Sequence, residues 1–481
     1  MNISPFRVRF APSPTGSPHV GNFRTALYNF LLARHYGGQF LLRIEDTDKE
    51  RSRPECEEAI YESLRWMGLY WDEEPVHQSR NLARHQAEAW RLIESGHAYR
   101  CRCPAERIDA LRERQMAAGL KPRYDGLCRD QNHPDDGAPF CIRLKSPQTG
   151  VTRISDRIRG EVAVSNEEVD DLVLLRTDGT PTFNFAVVVD DHDMGITHVI
   201  RGDDHLNNTI KQVLIYAALG YSIPQFAHLP QILGSDKTRL SKRHGATGVL
   251  EYRDQGYLAD AMINYIARLG WGHGDQEFFT RDELIRLFTI EEINKSAAVF
   301  DPLKLLWLNG EHIRAKPAGE VAELFAEHMR RKRYLGDQTE AFLQDRRRVM
   351  KIVECTQVRA KTLDEIYQMV RFLFQDELTY PEKDALEIFQ PEAMRGLQAL
   401  ADFAAEHRGP DLTHEAWEQA FQHILEKQGL KMKVLAQAVR LALTGTVVSP
   451  PIFDIIGLLG ANRVAARLRA ALAYAGKRAG A

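Results

Sequence analysis

The sequence predicts an α/β body followed by an all-helical tail, and three observations carry this. The N-terminal stretch reads strand, loop, helix, strand. Short apolar runs of the buried-strand kind recur through the first half. From about Leu284 nearly every segment reads helical, with few β-rich runs. A strand–helix–strand opening favours a parallel sheet with its ligand at the carboxyl ends of the strands.

The elements follow in order. Phe6–Phe10 alternates apolar residues with arginine, the period of a strand. Ala11–Pro18 holds three prolines and one glycine, so it is a loop. A helix is predicted from about His19 to Tyr36, with Ala26, Leu27, Phe30, Leu31 and Ala33 on its apolar stripe and Gly37–Gly38 ending it. Gln39–Ile44 is the second strand. Ser52–Glu55 has the capping-box pattern and opens a helix through Met67. Another helix runs about Asn81–Ser95. Cys101–Cys141 reads as an insertion with one helix between its cysteines. Phe140–Lys145 and Glu161–Val164 are short strands. Val187–Val189 and His198–Ile200 are predicted as buried strands, each followed by paired acids, Asp190–Asp191 and Asp203–Asp204. A helix near 208–220 comes next, and a domain boundary is placed near residue 315.

A chain of 481 residues has room for about three or four domains. Hydrophobic residues at 44% and charged residues at 27% exclude wholesale disorder. The net charge of -3, from 63 Lys+Arg and 66 Asp+Glu, hides an uneven tail. Residues 327–361 hold ten basic residues against five acidic, 362–426 four against fourteen, and 427–481 nine against one. A basic face suits a phosphate backbone; a solvated helical surface is the competing reading. Six cysteines do not make a disulfide scaffold. No run of 18 apolar residues predicts a membrane span, and the N-terminus has no charged and apolar regions of a secretory signal. The expectation is a cytoplasmic protein with no membrane partner.

Three motifs carry chemistry. Arg9–Asn22 sets a Pro/Gly-rich loop against a helix N-terminus, which aims backbone N–H groups and the helix dipole at an anion. His19 there can donate to a phosphate oxygen, and Gly21 leaves room for a flat ring against the backbone. The loop 234–245 gathers four cations, among them Arg239, Lys242 and Arg243. Cys101-x-Cys103, then Cys128 after 24 residues, brings three thiols that need one more ligand for a tetrahedral structural zinc site.

Pro12–Asn22 resembles the His-Ile-Gly-His region of class I aminoacyl-tRNA synthetases, in the form used by the glutamyl/glutaminyl branch. Arg239–Arg243 resembles that family's Lys-Met-Ser-Lys-Ser motif. Arg43–Asp48, Val199–His205 and Gly270–His273 are similar to the same branch. The chain as a whole resembles the bacterial-type glutamate–tRNA ligases. The resemblance implies a Rossmann-like nucleotide-binding catalytic domain in two halves, residues 1–100 and 191–315. It also implies an inserted acceptor-binding region at 101–190 and an all-α anticodon-binding domain at 316–481.

The implied activity is ATP-dependent attachment of L-glutamate to the 3′ end of tRNA(Glu) through glutamyl-adenylate, releasing AMP and pyrophosphate. Mg²⁺ accompanies ATP, the terminal 2′-OH is the acceptor, the first step awaits bound tRNA, and the enzyme is a monomer. Carried over residue by residue, ATP falls to Pro12, Ser13, Thr15, Gly16, His19, Gly21, Asn22, Arg239, Leu240, Ser241, Lys242 and Arg243. His19 and Lys242 are the catalytic pair: a mobile lysine stabilises charge growing on departing pyrophosphate more than it does the ground state. Glutamate falls to Arg9, Ala11, Ser13, Glu45, Phe183 and Arg201, with the arginines for its carboxylates and Glu45 for its ammonium.

Two positions depart from the family pattern. Phe183 stands where relatives commonly carry Tyr, removing one hydroxyl worth about 0.5–1.5 kcal/mol, and Arg239 stands for the first lysine of the second motif. Zinc-bearing relatives end their motif Cys-x-His. Here Asp130 takes that register, so it is the expected fourth zinc ligand, with His133 the alternative. Three other readings stay open: a relaxed enzyme that also charges tRNA(Gln), a shortened paralogue acting on a modified tRNA base, and a non-catalytic RNA-binding protein. The tail argues against the second, and His19, Lys242, Arg9 and Glu45 against the third.

Overall fold

The computed structural model describes residues 6–16, 19–48, 50–240, 248–407 and 412–479. The chain divides into two compact units, one of residues 1–251 with 259–305, the other of 252–258 with 306–481.

In the first unit, β1 (Arg7–Phe10), α1 (Val20–His35) and β2 (Gln39–Ile44) form the expected parallel strand–helix–strand unit, Phe10 pairing with Leu42. After α2 (Pro54–Trp66), β3 (Val76–His77) adds to β2, again parallel. α3 (Leu82–Glu94) leads into β4 (Ala98–Cys101), α4 (Ala105–Ala117) and β5 (Cys141–Leu144). β6 (Val151–Asp156) and β7 (Gly160–Ser165) make a hairpin, and β8 (Val173–Leu175) closes a small antiparallel sheet in the order β4-β5-β8. Then come α5 (Phe183–Asp193), β9 (His198–Gly202), α6 (Leu206–Leu219) and β10 (Gln225–Leu229). β9 and β10 are parallel, and β6 continues that sheet beyond β10.

The two parallel groups meet at β1. Thr197 N–H donates to the Arg7 carbonyl at 3.0 Å, and Arg7 N–H donates to Thr197 Oγ1 at 2.9 Å. β1 therefore lies between β2 and β9. The chain runs outward from β1 on one side and returns on the other, which is the topological switch point where doubly wound sheets bind their ligands.

α1 is buried on more than its predicted stripe: Tyr28, Asn29 and Leu32 are also fully covered. The sheet covers one side. The 259–305 segment covers the other, where Tyr28 Oη lies 3.0 Å from the carbonyls of Ala267 and Leu269.

Two local expectations are corrected. Val187–Val189 is not a strand but the middle of α5, buried on all sides. A three-residue apolar run has no period, so burial on every face hides the helix. The capping box at Ser52 does not form; Arg53 is the N-cap without a side-chain bond, and Pro54, pre-set for the first helical position, starts the helix.

The second unit is helical. It contains α11 (Ala318–Lys332), α13 (Arg346–Thr356), α14 (Leu363–Val370), α16 (Pro391–Glu406), α17 (His414–Gln428), α18 (Met432–Thr444) and α19 (Ile452–Ala479), with α12 (Thr339–Gln344) and α15 (Glu382–Ile388) as short connectors. α7 (Val249–Asp254), α8 (Ala259–Arg268), α9 (Arg281–Leu287) and α10 (Pro302–Ala315) precede them. Gly460, at φ 74, breaks the regular run of α19, a value that costs glycine nothing. Among the described residues no helix is long and apolar enough to cross a membrane.

Candidate active site

A cleft of about 470 Å³ opens at the carboxyl ends of β1 and β9, within the size range of small-ligand sites. Its wall is the loop after β1, fixed by the bond from Glu45 N–H to the Pro12 carbonyl and that from Arg53 N–H to the Pro14 carbonyl, both 3.0 Å. Ala11, Pro12, Ser13, Thr15, Gly16, His19, Gly21 and Asn22 all line it, as do Arg9, Glu45, Phe183, Arg201, Arg239 and Leu240. Ser241, Lys242 and Arg243 lie outside the described residues.

His19 is the N-cap of α1. Its Nδ1 accepts the Gly21 N–H at 3.0 Å, and its own N–H donates to Asn22 Oδ1 at 3.1 Å, a reciprocal cap. With Nδ1 accepting, the neutral ring carries its proton on Nε2, a donor free for an anion. Enclosure in the cleft and then the charge of Arg239 hold this imidazole below its usual value, so it is neutral at physiological pH. At Gly21 a Cβ would lie 2.8 Å from the His19 ring carbon Cε1. Its missing side chain admits the histidine ring itself.

The floor holds two arginines in opposite electrostatic states. Arg9 donates through Nε and Nη2 to Asp191 at 3.0 and 3.4 Å. Asp191 also pairs with Arg43, and Arg43 reaches Glu45 Oε1 at 3.1 Å. Burial pushes the Asp191 carboxyl up, but Arg43 and Arg9 outweigh it and hold it below its ordinary value. Burial dominates at Glu45 and pushes its carboxyl up. Arg201 is different. Among the described residues its side chain meets only neutral acceptors: His228 Nε2 at 3.3 Å, Thr209 Oγ1 at 2.6 Å, Gln212 Oε1 at 2.7 Å and the His205 carbonyl at 3.5 Å. It is 6% exposed. Burial and Arg9 weaken its hold on its proton, yet a guanidinium stays charged at neutral pH. A buried cation facing a cleft, with Asp191 and Glu45 acting on it only from a distance, is a receptor for an anion.

Phe183 begins α5, its ring 5.8 Å from that of His205. Arg239 lies 3.8 Å from Asp204 and is mostly exposed. The residues that sequence reasoning passed over are those that hold Arg201: His228, Thr209 and Gln212. The last of these also donates to Asn184 Oδ1 at 3.2 Å. The available signal was position: β9, α6 and β10 converge where Arg201 ends its strand.

The sulphurs of Cys101, Cys103 and Cys128 lie within 4.8 Å of one another. The expected fourth ligand, Asp130, stands apart from them here: its side chain is 87% exposed, with Oδ1 3.5 Å from Lys145 Nζ. His133 does not join the group either. The hydroxyl of Tyr124 lies beside the sulphurs, 3.4 Å from both Cys101 Sγ and Cys103 Sγ, with the Cys128 N–H donating to it at 2.8 Å. Cys103 Sγ and Cys128 Sγ stand 3.5 Å apart. Three thiols this close are within the span that zinc–sulphur bonds of about 2.3 Å can bridge with small adjustments. Arg107, paired with Asp125, also sets its Nη1 3.6 Å from Cys103 Sγ.

The model for the catalytic domain of class I tRNA synthetases (E and Q) matches residues 5–307, and the model for an anticodon binding domain matches 320–472. The chain belongs to the class I (E and Q) tRNA synthetases. It is 48% identical to a glutamate–tRNA ligase of Geobacter sulfurreducens, over 98% of this chain and 99% of that one. It is 49% identical to glutamate–tRNA ligase 1 of Alkalilimnicola ehrlichii, over 99% and 100%. A glutamate tRNA ligase crystal structure from Elizabethkingia meningosepticum, in complex with its amino acid, superposes with a TM-score of 0.85 at 32% identity, covering 98% of this chain and 99% of that one. In this synthetase the Rossmann-like body and the helical tail fall where the two family models do, and the cleft at the switch point lies wholly within the catalytic match.

Proposed function

We propose that this synthetase attaches L-glutamate to the 3′ end of tRNA(Glu), acting in the cytoplasm. The observation that carries the choice of amino acid is Arg201: a buried guanidinium whose hydrogen bonds among the described residues all go to neutral groups takes an acidic side chain and gains far less from a neutral amide. Arg9 and Glu45, with Ala11 and Ser13, frame the α-carboxylate and α-ammonium. Glu45 keeps Oε2 without a bond among the described residues. The Pro12–Asn22 loop and the α1 N-terminus receive the ATP phosphates, with His19 Nε2–H as a donor.

Two displacements follow. An oxygen of glutamate's α-carboxylate bonds to the α-phosphorus of ATP, and the bond to pyrophosphate breaks. The terminal 2′-OH of tRNA then attacks the carbonyl of the mixed anhydride, losing its proton as AMP leaves. The chain's own contribution is positioning and fixed charge. Magnesium, when bound with ATP, neutralises its phosphates. Zinc would be held by Cys101, Cys103, Cys128 and the Tyr124 oxygen, tying β4 to the segment before β5 in a structural role. Aminoacylation with purified glutamate and glutamine tRNAs, each with glutamate and with glutamine, tests the reading. Glutamate on tRNA(Glu) is the expected product; glutamate on tRNA(Gln) at equal efficiency would make the enzyme relaxed, and no charging would overturn it.

A further inference from the structure

Beneath Arg201 lies a second layer that the reaction as described does not use. Asp156, at the end of β6, and His228, on β10, are 3% and 0% exposed. Asp156 Oδ1 accepts the N–H groups of Ile158 and Arg159 at 3.0 and 2.8 Å, which fixes the carboxylate. Its Oδ2 lies 2.6 Å from His228 Nδ1. A carboxylate there can only accept, so Nδ1 carries the proton and Nε2 is left as a lone pair. That lone pair faces two donors, Arg201 Nε–H at 3.3 Å and the Thr209 hydroxyl at 2.9 Å.

We propose that His228, locked by Asp156 in the Nδ1–H tautomer, is a positioning residue that holds the Arg201 guanidinium for the side-chain carboxylate of glutamate. The proposal rests on the assignment of Arg201 to that carboxylate. The arrangement solves a particular problem. A carboxylate bonded directly to Arg201 would orient it but also offset its charge and occupy donors that the substrate needs. Interposing a neutral imidazole supplies a strong, directional acceptor and leaves the charge for substrate. An imidazole with its proton on Nε2 would set N–H against N–H and turn the guanidinium away.

The isosteric Asp156→Asn variant isolates this. The amide oxygen keeps the backbone bonds of Oδ1, the amide nitrogen faces Nδ1, and the proton is forced onto Nε2. KM for glutamate should rise about tenfold or more, the scale of losing a hydrogen bond to a charged group, while KM for ATP stays within about twofold. His228→Gln places an amide oxygen near Nε2 and should keep KM for glutamate close to wild type. Asp156→Asn in that background should then add little, because no tautomer remains to flip. A purely structural role for Asp156 predicts equal damage in both backgrounds and overturns the proposal. Arg201→Lys separates the two levels: if it leaves KM for glutamate unchanged, the assignment of Arg201 fails; if it raises KM while Asp156→Asn does not, only the positioning role fails. Should Asp156→Asn not fold, ¹⁵N-histidine spectra of the wild type decide. A His228 ring protonated on Nδ1 alone at neutral pH is expected, and a proton on Nε2 would overturn it.

Discussion

Asp191 grips Arg9 at 3.0 Å from a position only 2% exposed, and the same carboxylate pairs with Arg43. Three charges are thus buried together, two positive and one negative, with Glu45 completing the balance at Arg43. Removing one member strands the others, which is where buried ion pairs carry their largest cost.

Asp191→Asn should therefore destabilise the catalytic unit by about 3–5 kcal/mol, measured by urea denaturation. The sign of its pH dependence follows from the depressed carboxyl. A carboxylate whose folded value lies below the unfolded one, about 3.9, contributes stability in full above that unfolded value and loses it as pH falls through the folded one. The gap between wild type and Asp191→Asn should be widest near neutrality and close below about pH 4. A gap that widens in acid would contradict the ion-pair account.

The cysteine site predicts about one zinc per chain, consistent with a single four-donor set. Tyr124→Phe should release zinc to a chelator faster than wild type, because it deletes the oxygen 3.4 Å from two sulphurs. Asp130→Ala should retain the metal, since that carboxylate faces Lys145. Metal analysis after timed chelation distinguishes them, and the opposite ranking would make Asp130 the ligand. Hydrogen exchange should show the 101–141 segment loosening before β1 and β2 when zinc is stripped.

These cases mark how far the sequence could be read. β1, α1 and β2 were legible because period, prolines and the Gly37–Gly38 stop all agree on the same boundaries. The loop after β1 was legible because three prolines and a glycine in eight residues exclude regular structure. Val187–Val189 was not, since apolar runs look alike in a strand and in a wholly buried helix. Tyr124 was not, because a phenol has no place in cysteine spacing; an irregular turn brings it in, with its N–H held by Asp170 Oδ1 at 2.8 Å. His228 and Asp156 are 72 residues apart, and only the β6–β10 pairing joins them.

Lys242 is assigned from the Arg239–Arg243 motif. Lys242→Ala should lower kcat for glutamate- and tRNA-dependent pyrophosphate exchange by on the order of 10²-fold, the scale of deleting one oxyanion-type donor. KM for glutamate should change little, since the proposed glutamate contacts are Arg9, Glu45 and Arg201, which line the cleft. Unchanged turnover would remove Lys242 from the transition state.

The basic C-terminal stretch is less available than its nine-to-one ratio suggests. Arg467 is buried and donates to the carbonyls of Leu443, Phe372 and Gln375. Arg463 donates to Leu373 O at 2.9 Å, and Arg440 to Pro450 O at 2.9 Å. Burial lowers the proton affinity of both Arg467 and Arg440. These three act as carbonyl staples between helices. Lys427, Lys431 and Lys433 stay exposed, at the end of α17 and the start of α18. Arg346 and Arg347, at the start of α13, are exposed as well, whereas Arg330 and Arg331 are engaged by Glu340 and Glu327. Each phosphate contact contributes about 0.7–0.9 to the slope of log affinity against log salt. Reversing Lys431 and Lys433 to Glu should flatten that slope by about 1.4–1.8 if both meet phosphates, and leave ATP and glutamate affinities intact. Titrating tRNA at two salt concentrations reads it directly. If the slope holds for that pair but falls for Arg346 and Arg347, the docking face is the α13 end instead.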